Sequence, residues 1–248
     1  CGFWIGTTAP CPNCSPGTSS SASVRFSGDQ GRTWEKSIQV PQWRAANEVY
    51  LFRAGNGHLL AACRTDVPRR LKGKTLDHYE GLGVSISRDD GLTWSPVKKI
   101  YDYGRHHQSL VLMPNKDIVM TYVVRLGYVD DKDGFPQFGI EAVVSHDHGV
   151  NWDLDHRYLL HVWSGKRKGE TYWWPSSQST SSTLLPDGSI LTAFGTGYRI
   201  RAGKDSPQAP RDVGLVKWRL NTRPVNADRS VRDASFDSDR RNVFDPKS

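Results

Sequence analysis

The 248-residue sequence contains only two methionines and four cysteines, and it has no apolar run long enough to cross a bilayer. It shows no helix-turn-helix, zinc-finger or RNA-binding signature, which argues against a nucleic-acid-binding protein although the formal net charge is +7. The charge is therefore consistent with a solvated basic surface or with another anionic partner. The chain has no signal peptide and does not begin with methionine, so we expect a processed chain or a fragment.

The few cysteines do not indicate a metal or redox site. Cys11 and Cys14 have CxxC spacing, but a zinc site would need a second pair, and no βαβ pattern surrounds them. We interpret this segment as incidental or disulfide-bonded. Cys63 ends the apolar run LLAAC and is predicted to be a buried thiol. Since no ligands at suitable spacing are found elsewhere, the sequence predicts neither a metal nor a cofactor.

Glycine and tryptophan are plentiful, with 23 and nine residues, and they recur together in one eight-residue pattern. The pattern is Ser-x-Asp-x-Gly-x-Thr/Asn-Trp, and its copies begin 60 and 58 residues apart. The aspartate accepts backbone hydrogen bonds, the glycine permits a positive φ angle, and the tryptophan is predicted to pack under the turn. We therefore interpret Asp29, Asp89 and Asp147 as structural. The three copies are SGDQGRTW (27–34), SRDDGLTW (87–94) and SHDHGVNW (145–152).

Strand patterns surround these turns. Two-strand hairpins are predicted over Val49–Arg64, Ser109–Arg125 and Ser182–Arg199, because each has two apolar runs joined by Gly, Pro, Asn or Asp. Four antiparallel strands per repeat are typical of a β-propeller blade, and about four such units are visible. We predict blades over residues 25–220, with 1–24 as the remnant of an earlier blade and 221–248 as a polar, charged tail.

The repeated turn resembles the Asp-box of the sialidase superfamily, and the resemblance covers residues 22 to 220. It implies an all-β propeller, six-bladed in sialidases, whose catalytic site lies at the central axis on the face opposite the Asp-boxes. The superfamily includes exo-sialidases, glycan lyases and non-enzymatic binding proteins. Residues just before the first strand and just after the second strand of each blade are then the candidates for a site.

An arginine ends each predicted hairpin: Arg64, Arg125 and Arg199. Three arginines at one blade position would converge near the axis, and arginine is suited to bidentate binding of a carboxylate. They resemble the arginine triad with which sialidases hold the substrate carboxylate. The match is positional, because the Arg-Ile-Pro motif of the family's first blade is absent.

Acid–base candidates occur at the same blade end. Asp66 follows Arg64 by two residues, so strand alternation predicts that both side chains lie on one side. Glu48 precedes an inner strand and is a second catalytic candidate. Tyr198 is the nucleophile candidate, since sialidases use a tyrosine. Tyr79 and Glu80 lie in a long loop that would cover the face, and they are predicted to contact the substrate.

His106 and His107 precede the first strand of the middle hairpin. Paired histidines can act as base and acid, and a lyase that removes a proton next to a uronic carboxylate would use them. Because adjacent strand residues point to opposite sides, only one is expected to face the axis. We assign His107 as the catalytic candidate and His106 as a substrate contact.

These features together predict a sialidase-like glycoside hydrolase that removes a terminal acidic sugar from a glycan. Two alternatives stay open: a polysaccharide lyase on the same propeller with histidine as base, and a non-catalytic propeller that binds glycan or protein. The predicted partner is an acidic glycan, with no nucleic acid and no membrane span. The predicted location is secreted, periplasmic or at the cell surface.

Overall fold

A computed structural model describes residues 2–5, 20–71, 79–125, 138–163, 173–175, 179–195, 198–200 and 213–220. These residues form β-strands and one short 3₁₀ turn (Arg69–Leu71), without an α-helix, and no helix in them could span a bilayer. The strands are β1 (Gly2–Ile5), β2 (Ser21–Arg25), β3 (Ile38–Arg44), β4 (Ala46–Arg53), β5 (Leu59–Thr65), β6 (Gly81–Ser87), β7 (Lys98–Tyr101), β8 (Arg105–Leu112), β9 (Ile118–Val124), β10 (Phe138–Ser145), β11 (Tyr158–Trp163), β12 (Trp173–Pro175), β13 (Thr180–Leu184), β14 (Ile190–Gly195), β15 (Tyr198–Ile200) and β16 (Val213–Trp218).

The strands form four successive antiparallel sheets, which confirms the all-β prediction. The first sheet is β1-β2-β3, the second β4-β5-β6-β7, the third β8-β9-β10-β11, and the fourth β13-β14-β16. Strands β12 and β15 pair separately. All three predicted hairpins are present, as β4–β5, β8–β9 and β13–β14. The segment before residue 25 contributes β1 and β2 to the first sheet.

The three hairpins close with the same hydrogen bond, so their positions can be compared residue by residue. Glu48 and His107 occupy the same position in consecutive hairpins, because each lies six residues before the residue whose backbone N donates the closing bond. Asp66 and Arg125 also correspond, because each lies twelve residues after that donor. The closing bonds are Ala54 N to His58 O at 2.9 Å, Met113 N to Asp117 O at 2.9 Å and Leu185 N to Ser189 O at 2.7 Å.

Apolar side chains join each sheet to the next. Leu82 and Val84 of the second sheet pack with Met120 of the third sheet in one buried cluster. At the corresponding positions of the fourth sheet, Val213 and Leu215 are 71% and 64% exposed, so nothing among the described residues covers that face. One face of β6 and the same face of β10 are buried against the next sheet. This burial removes apolar surface from water, which favours the stacking of consecutive sheets in chain order.

The predicted turn chemistry is confirmed at all three copies of the pattern. In the second copy, Asp89 accepts hydrogen bonds from the backbone N of Thr93 (2.9 Å) and from its hydroxyl (2.5 Å). Ser87 Oγ accepts the Gly91 backbone N–H at 2.8 Å, and Gly91 has a φ of 94°. The first and third copies repeat this arrangement, with Asn151 in the place of threonine in the third. The three aspartates are thus turn-forming residues.

The tryptophan prediction is confirmed at the first two turns, although only the second of these tryptophans is buried. Trp94 is 6% exposed, donates its indole N–H to Gly91 O at 3.0 Å, and packs on Trp43 with ring centroids 4.6 Å apart. Trp34 makes the equivalent hydrogen bond but is 37% exposed. The difference follows from the stacking order, because Trp94 is covered by the preceding sheet, whereas no sheet precedes Trp34 among the described residues.

Cys63 is a buried thiol, as predicted. Its Sγ lies 3.6 Å from the backbone oxygen of Gly83, and burial raises the pKa of the thiol to about 12. The thiol therefore stays protonated and unreactive near neutral pH. Cys11 and Cys14 lie outside the described residues.

The turn aspartates should make stability depend on pH in the acid range. Hydrogen bonds from the threonine side chains lower the pKa values of Asp29 and Asp89 from 3.8 to about 2. Because the folded-state pKa is depressed, these carboxylates stabilise the fold fully above about pH 4 and lose that contribution as the pH falls toward 2. Urea unfolding at several pH values should show this loss, and Asp89→Asn should make the dependence shallower.

The adjacent residue gives a matched control for this change. Asp90 is exposed, has a φ of 58° that asparagine tolerates, and pairs only with the exposed Arg53 among the described contacts. Asp90→Asn removes no acceptor of the turn's backbone hydrogen bonds among the described contacts, so it should destabilise the protein far less than Asp89→Asn at neutral pH. Equal pH slopes for the Asp89→Asn and wild-type proteins would contradict the role given to the turn.

Candidate active site

Two backbone irregularities on neighbouring hairpins create the candidate site. The pairing of β4 with β5 shifts register between Asn47 and Tyr50, and the pairing of β8 with β9 shifts between His106 and Ser109. Within these bulges Glu48 has a φ of 47° and His107 a φ of 58°. Positive φ is uncommon for residues other than glycine, and bulges redirect side chains beside functional sites. The same position in two consecutive repeats is thus bent in the same way.

A carboxylate lies at the centre of the cluster. Glu48 Oε1 is 3.3 Å from Arg64 Nη1, and its Oε2 is 2.9 Å from His107 Nδ1. Glu80 Oε2 is 3.1 Å from the same Arg64 nitrogen. Glu48 is 34% exposed, and the other three side chains are more deeply buried. Arg64 therefore joins two carboxylates, of which that of Glu48 is the more exposed.

Asn47 holds this arrangement from behind. Its Oδ1 accepts a 2.6 Å hydrogen bond from Arg64 Nε, and its Nδ2 lies 3.4 Å from Asp66 Oδ1. Asp66 Oδ2 accepts the backbone N–H of Ser20 at 2.9 Å. Arg64 and Asp66 thus lie on the same side of β5, as alternation predicted. Sequence reasoning missed Asn47, although it directly precedes Glu48, because its role depends on the strand opposite.

Both histidines lie beside Glu48, which corrects the expectation that only one would face the site. The rings of His106 and His107 are 4.3 Å apart between centroids. Their ligand atoms and that of Glu48 lie within 4.8 Å of one another. The bulge breaks the usual alternation, so adjacent side chains converge instead of pointing to opposite sides. Sequence spacing could not reveal this group, because its members come from separate hairpins.

The three predicted arginines do not share one blade position. Arg64 pairs directly opposite Asn47 within its hairpin. Arg125 lies beyond the paired strands, where its backbone N donates to Gly104 O. The corresponding residue of the preceding hairpin is Asp66, whose backbone N donates to Ala45 O. Arg199 lies on β15, opposite Trp174. Arg125 is 1% exposed, so replacing it with alanine would remove buried packing and should destabilise the fold, unlike a substitution at the surface. The sequence prediction aligns the hairpins by their terminal arginines, whereas the hydrogen-bond register places Arg64, Arg125 and Arg199 at different positions.

The remaining candidates are only partly described. Tyr79, which precedes Glu80 in the chain, is buried. Tyr198 and Arg199 belong to β15, and their side chains lie outside the described residues. Their assignment as nucleophile and carboxylate ligand stays a prediction.

A second polar cluster lies within the core between the second and third sheets. Tyr101 Oη is 2.5 Å from Tyr122 Oη, which donates to Glu141 Oε2 at 3.1 Å. Arg157 Nη1 lies 3.8 Å from Glu141 Oε1. Burial raises the pKa of Tyr101 to about 12 and that of Tyr122 well above 10. These tyrosines are therefore neutral near pH 7 and are suited to a structural role.

No protein-family model and no curated protein matches this chain. Solved structures do match. The GH93 α-L-arabinofuranosidase of Fusarium graminearum shares 15% identity at a TM-score of 0.55, over 90% of this chain and 60% of that chain. An unknown-function protein from Dyadobacter fermentans shares 17% identity at 0.51, over 82% and 46%. The Hadza microbial sialidase Hz136 shares 16% identity at 0.50, over 83% and 41%.

These similarities establish a shared all-β fold among glycan-active enzymes and related proteins. At such identities the likeness extends to the fold alone, because function depends on individual sites. The chain also spans about half the length of the structures it matches. The activity must therefore be argued from the residues of the cluster.

Proposed function

We propose that the four sheets are consecutive blades of a β-propeller of the sialidase superfamily, with the repeated turns as its Asp-boxes. The shared hydrogen bonds of the three turns and the stacking of each sheet on the next support this assignment. The similar folds of a sialidase and an arabinofuranosidase agree with it. The cluster around Glu48 then lies at the blade end opposite the Asp-box turns.

We propose that this cluster hydrolyses a glycosidic bond. The observation that supports the proposal is that Glu48 and Glu80 both contact Arg64 Nη1, at 3.3 and 3.1 Å. The two carboxylate oxygens can thus be no farther apart than the sum of these contacts, which is compatible with the separations of about 5 to 9.5 Å found for paired glycosidase carboxylates.

The roles follow from the contacts. Glu48 is the more exposed of the two carboxylates and is the one we assign as the general acid that protonates the leaving oxygen as the glycosidic bond breaks. Glu80 acts as the second carboxylate, stabilising the positive charge at the anomeric carbon. Water then adds there and gives its proton back to Glu48. Asp66 and Asn47 hold Arg64 in place, so Asp66 has a positioning role.

That the cleaved sugar is acidic remains a prediction. Arg64 is already engaged by two carboxylates and Arg125 is 1% exposed, so binding of a substrate carboxylate depends on Arg199. Tyr198 remains the predicted nucleophile for a sialidase-type reaction. A neutral sugar would not need that arginine, and the cluster itself carries more negative than positive charge.

A polysaccharide lyase is the second candidate, and the contact between His107 and Glu48 favours it. The carboxylate 2.9 Å from Nδ1 orients the ring and leaves Nε2 to remove a proton next to a uronic carboxylate. The bond to the leaving sugar then breaks, a carbon–carbon double bond forms, and the leaving oxygen takes up a proton. No water is added in this reaction.

The test is to incubate the protein with sialylated, uronate-bearing and neutral oligosaccharides and to weigh the products. Hydrolysis predicts products whose summed mass exceeds the substrate by one water. Unsaturated fragments without added water would replace the hydrolase with the lyase. An absence of cleavage across the panel would contradict both and favour the binding module. A Glu48→Gln/Glu80→Gln double variant serves as the control for contaminating activity.

A further inference from the structure

We infer that Glu48, His106 and His107 form a binding site for a divalent transition metal ion such as Zn²⁺. Within the described residues, these three side chains bring their ligand atoms to within 4.8 Å of one another. The inference depends on this geometry alone, and because metal ligands bind in their deprotonated form, the metal-bound protein is a different state from the one in which Glu48 donates a proton. Two imidazoles and one carboxylate are a ligand set that suits Zn²⁺ and leaves a coordination position open.

The backbone favours convergence of the three ligands. Glu48 and His107 lie in left-handed conformations at the same bulge position of consecutive hairpins. Such conformations are unfavourable for residues with a side chain, and they concentrate at functional sites. Gln108 fixes the bulge by donating from Nε2 to the backbone oxygens of Glu48 (2.9 Å) and Ala62 (2.7 Å). These hydrogen bonds therefore hold the backbone beside the three ligands in place.

The ligand distances suit a small metal ion. Glu48 Oε2 and His107 Nδ1 are 2.9 Å apart, close to the edge of about 3.0 to 3.4 Å that bonds of about 2.1 Å produce in octahedral or tetrahedral coordination. His106 is fully buried, and its ligand atom lies within 4.8 Å of those of Glu48 and His107. Arg64 contacts Oε1 of Glu48, and a metal ion would replace the present contact between Oε2 and His107 Nδ1. Glu80 also contacts Arg64 and offsets its positive charge beside the metal.

The test is calorimetric titration of the untagged protein with ZnCl₂, supported by the absorption spectrum of the Co²⁺-loaded protein. Cys11→Ser/Cys14→Ser serves as the background, so that the CxxC segment cannot contribute. We expect one equivalent to bind, and His107→Gln or Glu48→Gln to weaken binding by at least about tenfold. Both substitutions keep the size of the side chain, so folding should be preserved, which circular dichroism verifies.

A matched histidine–carboxylate pair provides the control. His156 Nδ1 lies 2.8 Å from Asp153 Oδ2, without a second histidine among the described contacts. His156→Gln should leave Zn²⁺ affinity unchanged. The inference is overturned if the background protein binds no Zn²⁺ up to about 1 mM, a range in which even weak sites saturate. It is also overturned if His107→Gln binds as tightly as the background protein.

Discussion

Glu48→Gln is expected to lower kcat for glycan hydrolysis by about 10²- to 10⁴-fold, the usual contribution of a general acid–base residue. Glutamine keeps the size of the side chain and can still contact Arg64 and His107, but it cannot deliver or take up the proton. KM should change far less, because the lost interaction operates in the transition state. Steady-state kinetics on the substrate found in the oligosaccharide panel measure both constants.

Glu35 gives the matched control, because it is exposed in the loop after the first turn. Glu35→Gln makes the same chemical change outside the cluster and should leave kcat unchanged. Equal unfolding midpoints for both variants would separate chemistry from stability. A Glu48→Gln protein that keeps kcat within about threefold of wild type would remove Glu48 from the reaction.

Gly149→Ala is expected to destabilise the protein more than a surface glycine with the same backbone angle. Gly149 has a φ of 89°, and an added Cβ would overlap Leu60 Cδ2 and approach its Cγ at 3.0 Å. Leu60 is fully buried in the core between the second and third sheets, so it has little room to move. The left-handed backbone costs about 1–2 kcal/mol and the overpacking about 1–3 kcal/mol more.

The control separates these two costs. Gly57 also has a φ of 89°, but an added Cβ there would meet nothing within 4 Å. Gly57→Ala should therefore show the backbone cost alone. Urea unfolding gives both free energies, and a similar loss in the two variants would contradict the packing of Leu60 against the third turn.

The strands and turns were predictable from the sequence because their signals are local. The pattern from Ser87 to Trp94 contains its own hydrogen-bond donors and acceptors, so it forms the same turn wherever it occurs. The exposure of Trp34 was not predictable in this way. It depends on which sheet lies next to the turn, and the eight residues contain no information on that point.

The cluster was predicted in its members more than in its geometry. Glu48, Arg64 and both histidines were chosen from their positions at strand ends and Glu80 from a loop expected to cover the face, and the structure brings them together. The bulges that turn Glu48 and His107 toward each other could not be inferred, because neither position is a glycine. The burial of Arg125 likewise depends on packing between elements, which strand periodicity does not describe.

The most direct test of the proposed hydrolysis is cleavage in water enriched in heavy oxygen, with mass spectrometry of the released sugar. If Glu48 and Glu80 catalyse hydrolysis, the new hydroxyl group comes from solvent, and one product carries one heavy oxygen. The label should disappear together with cleavage in the Glu48→Gln/Glu80→Gln variant. Cleavage products that carry no solvent oxygen, one of them unsaturated, would contradict hydrolysis.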